Sequence, residues 1–123
     1  MTNADLLLLM VLLTAKHNLA DFIIQTNYQY QHKHIYGHIG GIVHAVIHGV
    51  GTWLCMNWFF PSAAVLLAIA DTVIHYHIDW IRVNVCYVMN WTMQNSKYWW
   101  WTIGIDEFLH YITYIGLIAV MVL

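Results

Sequence analysis

The chain has 123 residues, of which 61% are hydrophobic and only 8% are charged, and its formal net charge is −2 at pH 7. A soluble domain carries about a quarter charged residues, so this chain has too few charges to cover a water-facing surface. The composition therefore excludes an ordinary soluble domain, and with a negative net charge the sequence shows no sign of a nucleic-acid-binding surface. It predicts a single integral membrane domain over residues 1–123.

Four stretches are long and apolar enough to cross about 30 Å of hydrocarbon, which takes roughly 20 helical residues. The connections between them are short, and the only proline, Pro61, lies in the second connection. The predicted fold is therefore all-α, a bundle of four transmembrane helices in which successive helices run antiparallel. The predicted helices cover residues 5–25, 38–60, 62–86 and 100–123.

The ends of the chain and its cations set the expected topology. Residues 1–5 contain no lysine or arginine and no small-residue cleavage site follows Leu13, so the first helix is expected to remain in the mature protein. Lys33 and Lys97 place the first and third connections in the cytoplasm and both termini on the other side. Cys55 and Cys86 fall near opposite faces of the membrane, so they are expected to be reduced.

Each predicted helix carries two ionisable side chains spaced four residues apart. On an α-helix this spacing stacks the two side chains on one face, about 6 Å apart. The pairs fall late, early, late and early in successive helices, so an antiparallel bundle brings all of them to one level inside the hydrocarbon zone. The pairs are His17 and Asp21, His44 and His48, His75 and Asp79, and Asp106 and His110.

Buried carboxylates at this depth cost a few kcal/mol each if they are left unpaired. Interhelical hydrogen bonds alone rarely justify three of them, so a metal centre explains the set better. Five imidazoles and three carboxylates are more donors than one tetrahedral ion uses, which leaves room for two ions. Mixed nitrogen and oxygen donors suit zinc, iron or manganese rather than magnesium; zinc is preferred, although spacing alone does not separate the three.

The sequence also contains an internal repeat. The pattern predicts a duplicated helical hairpin whose two copies are related by a pseudo-two-fold axis along the membrane normal. The candidate site would lie on that axis. Thr14, His17 and Asp21 recur 58 positions later as Thr72, His75 and Asp79, and His44 and His48 recur 62 positions later as Asp106 and His110.

Further polar residues lie on the same helix faces. Asp71 precedes His75 by one turn and Glu107 adjoins Asp106, so either is a candidate general base, and Asp71 is alternatively a carboxylate that orients His75. Gln25 follows Asp21 by one turn and extends the site. Arg82 and Lys16 would suit an anionic substrate group near the headgroup level, although cations at helix ends more often extend toward water.

Four segments resemble a family of small bacterial and phage membrane proteins of unknown function. Its pattern is HxxxDFxxQ, HxxxH, an acidic residue before HxxxDxxK, and DQxxH. This chain differs at Asp71, Arg82 and Glu107, where the family tends to have glutamate, lysine and glutamine. The family is similar to membrane-bound metal-dependent hydrolases, so the resemblance implies hydrolysis in a bacterial inner membrane, and the chain's size fits a phage member. The segments are HNLADFIIQ at 17–25, HAVIH at 44–48, DTVIHYHIDWIR at 71–82 and DEFLH at 106–110.

Four functions remain open. The first is metal-assisted hydrolysis of an amphiphilic or lipid-linked substrate at the cytoplasmic leaflet. The second is a di-iron membrane oxidoreductase, because HAVIH has the form of the histidine boxes in membrane desaturases. The third is ion or proton transport or sensing, although the outer half of the bundle offers no polar stepping stones. The last is a non-catalytic phage accessory protein; in every case membrane lipid is the expected partner, and homo-oligomerisation is left open.

Overall fold

The computed structural model describes all residues, 1–123, and contains no β-strand. The all-α prediction is confirmed, and four helices are long and apolar enough to cross a membrane. Their bounds lie within a few residues of the predicted ones. The elements are α1 (Asn3–Leu19), which continues as a π-helical segment (Ala20–Ile24), α2 (Asn27–His32), α3 (Ile39–Phe59), α4 (Ala64–Val88) and α5 (Lys97–Val122).

Local chemistry sets where these helices begin and end. Thr2 and Asp5 form a reciprocal capping box at the start of α1, which satisfies backbone N–H groups that have no partner within the helix. The Ser96 side chain accepts a hydrogen bond from the Tyr98 backbone N–H, so α5 begins at Lys97 rather than at the predicted residue 100. Pro61 has no backbone N–H and separates α3 from α4.

Two local features of the first helix and the connection after it were not predicted from the sequence. The last turn of the first helix is π-helical over Ala20–Ile24, a segment that contains Asp21. Such insertions into an α-helix occur often at functional sites. The connection then folds into the short helix α2, whose start is a capping box formed by Thr26 and Gln29.

The four long helices form a ring in which α3 and α4 make the most extensive contact and α1 and α5 the least. Gly49 permits the close approach of α3 and α4, because a Cβ there would overlap the Thr72 hydroxyl. Short α2 folds back against the start of α3, where a Cβ on Gly40 would lie 3.3 Å from His32. One end of the bundle is therefore covered by α2, and the seam between α1 and α5 is the loosest.

The interior is polar at this end and apolar at the other. Only 24 residues are buried, and ten of them are polar or charged, whereas large apolar side chains such as Leu66 and Val120 are more than 70% exposed. This inverts the pattern of soluble proteins and fits a chain surrounded by hydrocarbon. The far end holds an apolar core that offers no continuous polar path, formed by Leu9, Leu13, Met56, Ala64, Leu67, Tyr114 and Leu117.

Candidate metal centre

The structure brings the eight paired side chains together in one layer near the end covered by α2. His17, His44, His48, His75 and His110 are all at most 1% exposed. Because residues four apart share a helix face, each long helix directs both members of its pair toward the bundle axis. The imidazoles make their carboxylate contacts through Nε2, so these nitrogens face one another and the aspartates.

The first cluster consists of Asp21, His44, His48 and His75, whose donor atoms all lie within 4.8 Å of one another. Asp21 Oδ1 is 2.9 Å from His44 Nε2 and 3.2 Å from His48 Nε2. His44 Nε2 and His75 Nε2 face each other at 3.2 Å. Two donors bound at about 2.0–2.1 Å to one tetrahedral zinc lie about 3.4 Å apart, so the spacing of this cluster suits a tetrahedral ion.

The second cluster consists of Asp79, Asp106 and His110, with donor atoms again within 4.8 Å. His110 Nε2 lies 3.4 Å from Asp79 Oδ1 and 3.7 Å from Asp106 Oδ1. The other oxygen of Asp79, Oδ2, lies 3.3 Å from the Nε2 atoms of both His44 and His75 in the first cluster. One carboxylate thus faces both clusters, as bridging carboxylates do in paired-metal helix bundles.

The internal repeat of the sequence recurs in the geometry of the two clusters. In the first, Asp21 lies 3.2 Å from His48 Nε2. In the second, the corresponding residues Asp79 and His110 lie 3.4 Å apart. The repeat is broken at two donors, because Asp106 stands in the position that corresponds to His44, and His17, which corresponds to His75, lies outside the second cluster. The clusters are therefore related in position and different in chemistry.

His17 lies between the clusters and has the contacts expected of a ligand. Its Nε2 is 3.1 Å from Asp21 Oδ2 and 3.2 Å from Glu107 Oε2. His17 Nε2 and Glu107 Oε2 are both buried and form no properly aligned hydrogen bond. Neither atom is therefore used as a hydrogen-bonding partner within the protein, and both could act as metal ligands. The other ring nitrogen, Nδ1, shares a 2.8 Å hydrogen bond with the Tyr114 hydroxyl. Such a partner on the second nitrogen commonly orients a metal-binding histidine.

Not every histidine has this support. The Nδ1 atoms of His44, His48, His75 and His110 are buried without a hydrogen-bond partner. The orienting hydroxyl is therefore particular to His17, and the other four rings are positioned by packing. His48 and His75 stack with ring centroids 3.6 Å apart, and His75 stacks on His110 at 4.1 Å.

Lys33, the residue that follows α2, reaches into the site, a contribution that the sequence did not predict. Its Nζ is 2.8 Å from Asp79 Oδ2 and 4.0 Å from Asp21 Oδ1, and the residue is only 7% exposed. A lysine in a polar connection usually faces water. Because Lys33 is buried instead, it is weaker evidence that the first connection lies in the cytoplasm. The sequence does contain one sign of the short helix that brings Lys33 into the site. Thr26 and Gln29 have the spacing of a capping box, which predicts the start of a helix.

Lys16 and Asp71 form a separate pair one helical turn deeper in the bundle. Lys16 Nζ donates to Asp71 Oδ2 at 2.9 Å and to the His48 carbonyl at 3.2 Å. The Thr52 hydroxyl donates to the same oxygen of Asp71 at 2.5 Å. The sequence predicts Asp71 as a base or as a partner of His75, and Lys16 as a substrate contact. In the structure these two oppositely charged side chains pair through Asp71 Oδ2, Asp71 makes no hydrogen bond to His75, and Asp71 Oδ1 is buried without a partner.

A cavity of about 680 Å³ opens beside the two clusters, between the π-helical segment, the end of α4 and the start of α5. Asp21, Asp79, Asp106 and Glu107 line it, whereas Lys16 and Asp71 do not. Gln25 and Arg82 also line the cavity, as the predicted extension of the site requires. Gln25 Nε2 donates to the Asp21 carbonyl at 3.0 Å, so it steadies the π-helical segment. The carboxylates of the donor layer thus face the cavity, whereas the five histidines of the layer do not line it.

The chain belongs to the family described as protein of unknown function DUF3307, whose model matches residues 8–123. That match covers α1 from residue 8 onward, the other three long helices in full and every donor of both clusters. No curated protein and no solved structure matches the chain. The class that the fold and the site define is therefore a four-helix protein with candidate transmembrane helices and buried His/Asp groups that could hold metal.

Proposed function

We propose that this chain is a membrane-embedded hydrolase that uses one or two divalent transition-metal ions, with zinc preferred, to cleave an amphiphilic or lipid-linked substrate. One observation carries the proposal: inward-facing imidazole nitrogens and carboxylate oxygens from all four long helices lie at the mutual distances of metal ligands. Two facing nitrogens, His44 Nε2 and His75 Nε2 at 3.2 Å, suit a shared ion better than a hydrogen bond between neutral rings.

The charges of the layer support the same proposal. Asp21, Asp79, Asp106 and Glu107 meet there, and Lys33 is the only lysine or arginine that forms an ion pair with them. Neutral imidazoles do not offset the remaining negative charge, which is costly inside hydrocarbon. Divalent ions would offset it, and protonation of several histidines is the alternative. A divalent ion held by these donors would polarise the bond under attack and make bound water acidic near neutral pH.

Glu107 is the best-placed general base. It lines the cavity, its side chain is 19% exposed, and its Oε2 lies beside His17 without a hydrogen bond. A carboxylate in that position can accept a proton from attacking water and return it to the leaving group. The histidines stand behind the carboxylates, so they would hold the centre while Glu107 faces the substrate.

The first experiment is elemental analysis of protein purified in mild detergent without chelators. One or two transition-metal ions per chain are expected, and the His44→Leu/His48→Leu double variant should retain fewer. His77→Leu is the matched control, because His77 is exposed and its ring bonds Tyr36 and the Val73 carbonyl outside the layer. Wild-type protein that folds and retains no metal, even after incubation with zinc, iron or manganese, would refute the proposal.

The second experiment tests hydrolysis. Metal-loaded protein in lipid nanodiscs is incubated with a membrane lipid extract, and products are measured by mass spectrometry. Wild-type protein should release a product that Glu107→Gln does not, while both retain the same metal content. A protein that holds metal and cleaves no component would contradict the hydrolase assignment and leave the metal centre standing.

A di-iron oxidoreductase is the second candidate, and the second cluster favours it. Asp79 and Asp106 give this cluster two carboxylates for one imidazole, as in bundles that hold paired iron. The same elemental analysis separates the two candidates, because two irons per chain with little zinc would support oxidation chemistry. Oxygen consumption by the reduced, iron-loaded protein is then the measurement.

A further inference from the structure

Arg82 is a cationic side chain of the cavity wall that has no ionic partner. Lys33, the other cation in the wall, is bound to Asp79, but no carboxylate lies within 4.0 Å of Arg82. The Nε and Nη2 atoms of Arg82 are buried and form no hydrogen bond. The guanidinium lies 5.4 Å from the ring centroid of Trp99, which also lines the cavity. The side chain is thus held in the wall with its donors unused.

The chemistry of these donors indicates what would satisfy them. A guanidinium stays charged at any physiological pH, so burying it without a partner is costly. Nε and Nη2 form one edge of the planar fork, and that edge matches two oxygens of a phosphate group. An arginine that merely extends toward lipid headgroups would leave these atoms at the surface. Arg82 lines the cavity, so an anion that pairs with these donors would approach from the cavity and displace the side chains that now cover them.

Arg82 also lies next to the second cluster. It follows Asp79 by three residues on α4, a spacing that puts the two Cβ atoms about 5–6 Å apart. Asp79, Asp106 and Glu107 line the same cavity. A phosphate held by two oxygens on Arg82 would therefore have a third oxygen free to face the second cluster. A carboxylate has only two oxygens, and a neutral amide has no use for the guanidinium.

The cavity is too large for a phosphate alone and has apolar walls. Its volume is about 680 Å³, and Phe22, Trp91 and Met93 lie among its lining residues. Phe22 lies on the π-helical segment and is 67% exposed. A ligand that fills this space would place a charged group at Arg82 and an apolar chain against these side chains.

We propose that Arg82 binds the phosphate group of a lipid phosphate monoester, which would be the substrate class of the hydrolase. The inference rests on the proposed function for its chemistry, while the binding itself can be tested separately. Hydrolysis would add water across the ester P–O bond and release inorganic phosphate and the lipid alcohol. Glu107 would accept the proton of the attacking water, and the alcohol oxygen would receive a proton as the bond breaks.

Native mass spectrometry tests binding and metal content in one spectrum. Metal-loaded protein carrying Glu107→Gln, which blocks turnover, is mixed with phosphatidic acid or with diacylglycerol of the same acyl chains. Phosphatidic acid is expected to bind at least about tenfold more tightly than diacylglycerol, and Arg82→Gln should remove that preference. Lys97→Gln is the control, because Lys97 lies outside the cavity against Tyr98 and Trp101. Arg82→Lys should restore part of the preference, since it keeps the charge and loses the two-donor edge.

Inorganic phosphate as a competitor distinguishes two sources of the same group. If it displaces phosphatidic acid only at far higher concentration, the ligand is a lipid; if it competes equally, the site takes free phosphate, and the lipid part of the inference is wrong. Equal binding of phosphatidic acid by the Arg82→Gln variant would overturn the inference, even with the metal content intact. Loss of metal in otherwise wild-type protein would instead contradict the proposed function.

Discussion

The two donor clusters occupy repeated sequence positions, yet they differ in composition and in access to the cavity. The first has three imidazoles and one carboxylate, whereas the second has one imidazole and two carboxylates. Of the first cluster only Asp21 lines the cavity, whereas Asp79 and Asp106 of the second both do. The second cluster, which has Asp106 at the position that corresponds to His44, therefore presents more of its donors to the cavity than the first.

Lys33 also distinguishes the two clusters. Its ammonium is 2.8 Å from Asp79 but 4.0 Å from Asp21, so it lies with the more negative cluster. An imidazole-rich site suits zinc and similar ions, and an oxygen-rich site suits harder ions and exchanges them more readily. We therefore expect the first cluster to hold its ion more tightly and the second to face the chemistry.

The largest expected effect comes from removing the imidazoles of α3. His44→Leu/His48→Leu should lower the apparent affinity of the first cluster by more than about 100-fold, because even residues behind a ligand are worth 10–100-fold. Metal titration followed by elemental analysis measures it, with circular dichroism to verify the helices. Retention of the full metal content would show that the first cluster is not a metal site.

The Glu107→Gln variant separates metal binding from catalysis. The amide keeps the shape of the side chain and cannot accept the proton, so turnover should fall about 10²–10⁴-fold. Metal content should stay within a factor of about two of wild type. Turnover is measured on the product identified in the lipid extract. A loss of metal together with activity would indicate that Glu107 is a ligand and that the base lies elsewhere.

Tyr114→Phe removes the only hydroxyl that orients a histidine of the layer. The hydrogen bond to His17 Nδ1 would be lost, and metal affinity should fall about 10–100-fold. Tyr98→Phe is the control on the same helix, because Tyr98 packs against Trp91 and Trp101 away from the histidines. Competition with a chelator of known affinity measures both variants. Equal affinities would place His17 outside the metal centre.

The smallest effect is expected from Asp106→His, which makes the second cluster resemble the first. A second imidazole in this cluster should tighten zinc binding there about tenfold and slow its exchange. Zinc titration of the second ion measures the change, and His44→Asp provides the reverse substitution. Weaker binding by Asp106→His would mean that the difference between the clusters does not arise from this residue.

The sequence predicts those parts of the molecule that depend on neighbours along one helix. Hydropathy predicts the four long helices, and the four-residue spacing of pairs such as His17 and Asp21 places both side chains on one face. Their common level follows from helix length alone. These features depend little on contacts between residues that are distant in the sequence, because each helix satisfies its own backbone hydrogen bonds.

The remaining features depend on contacts between helices that no local pattern contains. Lys33 reaches Asp79 only because the connection folds back as α2. Lys16 and Asp71 are 55 residues apart, and their pairing depends on how α1 and α4 are rotated toward each other. The π-helical turn around Asp21 changes the direction of one donor, and it leaves no periodic signal in the sequence.

X-ray absorption spectroscopy of the metal-loaded protein tests the central claim most directly, because it reports the atoms around the ion. Converging donors predict nitrogen and oxygen neighbours at about 2.0–2.1 Å with imidazole scattering, and with two ions a metal neighbour at about 3.5–4 Å. The imidazole signal should weaken in the His44→Leu/His48→Leu variant. A spectrum of water oxygens alone, unchanged in that variant, would contradict the account.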